Sequence, residues 1–96
     1  MDNREILLTK LEILVQEIDE AIIVVDYDKK KYLNNYKIRV KMLIKKLQEG
    51  TLPSSNGGLL GTMRWISEYD NLASIRELYD AASDVDLFYS RKCKTW

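Results

Sequence analysis

Leu7, Leu11, Leu14, Ile18, Ala21 and Val25 follow one another at intervals of 4, 3, 4, 3 and 4 residues. A helix advances about 100° per residue, so this spacing lines all six along one stripe for about five turns. The same rhythm returns in Leu33, Tyr36, Val40, Leu43 and Leu47, and again in Ile75, Leu78, Ala82, Val85 and Tyr89. Stripes of this kind must be buried against one another, and helix packed on helix is the arrangement that does so.

The spacing predicts an all-α fold, an antiparallel up-down-up-down bundle with helices near residues 3–25, 29–49, 58–70 and 74–90. Asp2 or Asn3 suits the first N-cap, Asp28 the second, and Ser74 the fourth, with Glu77 placed to complete a capping box. Gly50 stands where a left-handed residue ends a helix. The run Ala21-Ile22-Ile23-Val24-Val25 has local strand preference, but no other segment offers a partner strand, so helix is expected there too. In the third helix Leu59, Met63 and Ile66 are expected to face inward. Residues 51–58 read as a flexible loop with Asn56 near the cap, and residues 91–96 as a frayed basic tail.

At 96 residues the chain suffices for one domain. An apolar share of 46% supports a core, which argues against disorder. No apolar run reaches the ~20 residues that span a bilayer, and the first residues lack the pattern of a signal peptide. A single cysteine, Cys93, points to a cytoplasmic, reducing setting.

Fifteen basic and fifteen acidic residues cancel over the chain, yet they are segregated. Residues 1–28 carry two positive and eight negative side chains, residues 29–46 carry eight positive and no negative ones, and residues 91–96 add three positive. The second helix is therefore basic beside an acidic neighbour. Charge complementarity between the two helices is the plainest use for its lysines.

Catalytic chemistry finds few parts. The chain has no histidine, and no metal-ligand spacing or cofactor motif is present, so no cofactor is implied. The segment Ser54-Ser55-Asn56-Gly57-Gly58 lacks the lysine and glycine spacing of a P-loop. Asp80, Asp84 and Asp86 form an acidic patch on the last helix, and Glu68 lies near Asp70, but neither group has a nucleophile beside it. Cys93, between Lys92 and Lys94, reads as an exposed thiol whose pKa the cations would lower. The tyrosines read as core edges with hydroxyls reaching water. The expectation is a protein that is not an enzyme.

Two surfaces stand out. With Val40 at the centre of the second seam, Ile38 and Met42 fall about 160° away, on the outward side. Lys31 and Lys45 share that side, with Arg39 and Lys46 at its edge. An apolar pair ringed by cations predicts a binding face for an acidic protein partner. The other surface is the row Lys30, Lys37, Lys41 and Lys45, with Arg91, Lys92 and Lys94 in the tail, a pattern that can follow a phosphate backbone. Nucleic acid is the weaker expectation of the two, since the domain has no excess positive charge. A homodimer through Ile23, Val24 and the end of the first helical hairpin is compatible with either. The size and four-helix design resemble those of the small bacterial bacteriocin-immunity proteins. That likeness is of architecture only, without a shared motif, and a shared fold does not by itself imply a function.

Overall fold

The computed structural model describes residues 2–68 and 72–95. They form four α-helices, α1 (Asn3–Val24), α2 (Tyr27–Glu49), α3 (Thr62–Ser67) and α4 (Arg76–Lys92), with a 3-10 turn at Leu72–Ser74. No strand occurs among the described residues, so the β-branched run at the end of α1 is helical as expected. The third helix is the main departure: it is six residues long rather than thirteen.

Asp2 caps α1, its carboxylate accepting from the Glu5 N–H at 2.9 Å. The turn into α2 is tighter than expected, because Asp26 and not Asp28 is the cap. Its carboxylate accepts from the Lys29 N–H at 3.1 Å, which lets α2 begin at Tyr27 with only Val25 and Asp26 between the helices. That backbone hydrogen bond, with a smaller contribution from the Lys29 ammonium, holds the Asp26 carboxyl below its usual range. At the far end Gly50 adopts φ 75°, and the N–H groups of Gly50 and Thr51 close back on Leu47 and Lys46. An L-residue with a side chain is disfavoured at that φ.

α1 packs against both α2 and α4. Its stripe of Leu7, Leu11, Leu14, Ile18 and Ala21 is buried, and it meets Leu33, Tyr36 and Val40 of α2 and Leu78, Ala82 and Val85 of α4. Val25 is only partly buried at the hairpin end. Along α1 and α4 the contacts run in opposite order: Asn3 donates to the Lys92 carbonyl, and further on Lys10 pairs with Asp84 at 2.8 Å.

The segment from Gly50 to Gly61 is strapped to α4 instead of swinging free. The Ser55 N–H donates to the Cys93 carbonyl at 2.9 Å, the Tyr89 hydroxyl to the Pro53 carbonyl at 2.6 Å, and the Ser90 hydroxyl to the Gly57 carbonyl at 2.8 Å. Leu52 is buried beneath them, whereas Leu59, expected inside, is exposed. Asn56 caps nothing, since α3 starts only at Thr62 after Gly61 at φ 92°.

A buried carboxyl on α4 explains why α3 starts there. Asp86 accepts from the N–H groups of Thr62 at 3.2 Å and Met63 at 3.1 Å, and lies 2.5 Å from the Thr62 hydroxyl. The first N–H groups of any helix lack intrahelical partners, and here a distant residue supplies the acceptor. Tyr32 and Tyr36 of α2 hold the other side, donating to the carbonyls of Trp65 and Thr62. Tyrosine hydroxyls expected to reach water thus bind backbone carbonyls. Burial first, and the Asp86 charge second, push the Tyr36 hydroxyl well above its usual range.

α4 begins one residue later than a Ser74 cap would place it, with Ile75 in the cap position and no side-chain cap bond there. The Ser74–Glu77 capping box is therefore out of register. The helix continues through Arg91 and Lys92, so these two are its last turn and not part of a frayed tail. Asp70, set near Glu68 by the sequence, lies outside the described residues, as do Tyr69 at the expected end of the third helix and Trp96 in the tail.

Candidate functional site: the outward face of the second helix

α2 turns its buried seam of Leu33, Tyr36, Val40 and Leu47 toward the core, and this fixes what the opposite side presents. Ile38 and Met42, one turn apart on that opposite side, are 57% and 56% exposed. Lys31 and Lys45 lie on the same side and are exposed, as is Lys46 at its edge. Among the described residues no carboxylate lies within ion-pair distance of Lys31, Lys41, Lys45 or Lys46.

Arg39 departs from the ring drawn around the apolar pair. Its guanidinium lies 5.4 Å from the centre of the Trp65 ring, toward α3. Trp65 in turn stands edge-on to Tyr36, with ring centres 5.7 Å apart. Arg39 thus covers the seam between α2 and α3, a cation–π contact worth about 0.5–1 kcal/mol at an exposed site.

The row proposed for phosphate is partly committed elsewhere. Lys37 pairs with Asp19 of α1 at 2.5 Å, the expected complementarity between the basic helix and its acidic neighbour. Lys30 is half-buried and Lys41 and Lys45 are exposed. Arg91, Lys92 and Lys94 are exposed at the far end of α4, joined to the α2 exit through the Ser55–Cys93 and Thr51–Lys46 hydrogen bonds.

The acidic patch on α4 does not act as a unit. Asp80 sits 3.8 Å from Arg76, Asp84 pairs with Lys10, and Asp86 is buried as the α3 cap. Glu68 pairs with Arg64 at 3.2 Å. A different acidic group collects where α1 meets the start of α4, around a shallow hollow lined by Glu17, Glu20, Ala21, Val24, Ile75 and Glu77. Loss of water, then repulsion by Glu20 and Glu77, raises the Glu17 carboxyl above its ordinary value.

Cys93 is fully buried, and the expectation of an exposed, activated thiol is corrected. Burial pushes it up to about 11, outweighing the opposing charge of Arg4. The strap from Ser55 is what places it inside, a contact no local pattern announces.

Beyond the α2 face, the hairpin end exposes Ile23 (77%), Val24 (76%) and Tyr27 (80%). Tyr27 escaped the sequence reading because the tighter Asp26 turn recruits it into α2. Among the described residues no group of three His, Cys, Asp or Glu is placed to hold a metal ion, and no helix is long and apolar enough to cross a membrane. In comparisons with known proteins, no family model, no curated protein and no solved structure matches this chain.

Proposed function

We propose that this chain is a non-enzymatic interaction module that binds an acidic protein partner through the outward face of α2. Immunity, adaptor and regulatory proteins work in this way. The carrying observation is the exposed Ile38–Met42 pair flanked by Lys31, Lys45 and Lys46, none of which has an ion-pair partner among the described residues. Apolar side chains left in water beside unpaired cations gain on contact with a surface that covers the first and neutralises the second. The same proposal includes a cytoplasmic setting and an antiparallel up-down-up-down course of the helices. The opposed order of the Asn3–Lys92 and Lys10–Asp84 contacts supports that course for α1 and α4.

The test is the double change Ile38→Lys and Met42→Lys. Both side chains lie outside the core, so binding to the partner recovered by affinity capture should be lost while the melting temperature holds. A sharp fall in melting temperature would show that the pair supports the fold and would defeat the proposal.

A nucleic-acid-associated role is the second reading. It is favoured by Lys45 and Lys46 ending α2 at the same end of the molecule as Arg91, Lys92 and Lys94. It predicts binding that weakens steeply with salt, by about 0.9 log unit per tenfold salt for each phosphate neutralised. Binding unchanged between low and moderate salt rejects it.

A further inference from the structure

The α2 face is one half of a broader surface. α1 buries the stripe from Leu7 to Ala21, so Glu5, Glu12, Gln16, Asp19 and Ile23 are left exposed on its other side. The Asp19–Lys37 ion pair joins this acidic row to the basic row of α2. The two rows thus form one continuous face along the hairpin. Over its length α1 carries five negative and two positive side chains, while α2 carries eight positive and two negative ones.

We infer that the acidic partner of the α2 face is α1 of a second copy of this chain, the two hairpins packing face to face about a two-fold axis parallel to the helices. The inference rests on the reading of the α2 face as a binding surface and names what covers it. An axis along the helices lays each α1 over the other copy's α2. An in-plane axis across the helices would instead set basic α2 on basic α2, and repulsion disfavours it.

Within a hairpin the amino half of α1 lies beside the carboxyl half of α2, and the same halves meet across the axis. Glu5, Glu12 and Gln16 of one copy then face Lys41 and Lys45 of the other. Ile23, Ile38 and Met42 supply apolar contact, with the half-buried Leu8, Val15 and Ile22 beneath.

The area is adequate. A helix of 23 residues is about 34 Å long, and two side by side are about 20 Å wide, or roughly 700 Å² per copy. Stable interfaces bury about 600–1,000 Å² per partner. The zero net charge of the chain removes the general repulsion that would keep copies apart.

Sedimentation equilibrium on the full chain tests this with two charge-altered variants, Lys41→Glu/Lys45→Glu and Glu12→Lys/Gln16→Lys. All four positions are exposed, and circular dichroism confirms that each variant folds. The wild-type chain should sediment at twice 11.2 kDa. Each variant alone should dimerise roughly a hundredfold more weakly, since like charges then face each other. An equimolar mixture of the two should recover the dimer, because the changed positions of each variant then face side chains of opposite charge on the other. A wild-type chain that stays at 11.2 kDa, or a dimer indifferent to both variants, overturns the inference. Should a separate acidic protein then bind the chain and be lost on Ile38→Lys/Met42→Lys, the reading of the α2 face stands without it.

Discussion

Replacing Asp86 with alanine should be among the most damaging single changes in this chain, although its sequence neighbour Asp84 looks equivalent. The carboxyl serves two backbone donors, the Thr62 and Met63 N–H groups, at 3.2 and 3.1 Å. A buried donor left without an acceptor costs about 1–3 kcal/mol. Thr62 is fully buried and its N–H would bear that cost in full, whereas Met63 is only partly buried. The Thr62 hydroxyl keeps a partner in the Ala82 carbonyl at 3.0 Å and adds little. The sum is about 2–4 kcal/mol, set against a total stability of about 5–14 kcal/mol for a domain of this length. At roughly 4–8 °C per kcal/mol, the melting temperature should fall by about 8–32 °C. Thermal melts of Asp86→Ala and Asp84→Ala side by side are the assay. Asp84 makes an exposed ion pair worth only ~0–1 kcal/mol. Thr62→Val removes only the hydroxyl and leaves the capped N–H in place, so a double-mutant cycle with it should return a coupling well below the cost of Asp86→Ala itself. If Asp86→Ala costs no more than Asp84→Ala, the carboxyl does not organise α3 and the account of its boundary is wrong.

The buried thiol makes two predictions. Native Cys93 should react with a disulfide reagent near neutral pH far more slowly than in denaturant, and equal rates would contradict its burial. Burial raises its pKa from an ordinary value of 9.0 to about 11, so the native state holds the proton more tightly. The resulting stabilisation is intact below pH ~9 and is lost as pH rises toward about 11, on the order of 2–3 kcal/mol. Urea titrations across that window should show the decline, and Cys93→Ala should make it shallower below pH ~10, above which the raised Tyr32, Tyr36 and Tyr89 hydroxyls add their own loss. Gly50→Ala should cost about 1 kcal/mol through backbone strain alone, since φ is 75° and nothing lies within 4 Å of an added Cβ. A loss as large as that of a core truncation would mean that the side chain clashes after all.

What the sequence made legible was periodicity. Leu7 to Ala21, Leu33, Tyr36, Val40 and Leu47, and Leu78 to Tyr89 are buried as their spacing requires, with Leu43 only partly so, because a long helix has enough turns for the phase to be unambiguous. The same phase placed Ile38 and Met42 outward. The misses cluster where one contact from far along the chain decides. Asp26 and Asp28 are equally good caps by composition, and only the reach to the Lys29 N–H separates them. The length of α3 depends on Asp86, Tyr32 and Tyr36, which lie on other helices and between 23 and 33 residues away. Arg39 was assigned to the apolar ring because its partner, Trp65, has a position that depends on α3. Cys93 follows the same logic through Ser55.

Asp86 and the Ile38–Met42 pair both break the rule that apolar groups go inside and polar ones outside, and the contrast between them carries the functional argument. Asp86 breaks it with compensation: its oxygens meet two N–H groups and lie beside a hydroxyl, and the anomaly is fully used up in starting α3. Ile38 and Met42 break it without any compensation inside the chain, and Lys31, Lys45 and Lys46 around them have no ion-pair partner among the described residues. Departures of the first kind are explained by folding, while those of the second kind are not, and the proposed partner is what would account for them. Lys37 sharpens the point, since on the same helix it does find its acid, Asp19, and is thereby a weak candidate for any partner. The part of α2 that remains chemically unsatisfied is therefore narrower than the basic helix as a whole, and it is centred on Ile38 and Met42.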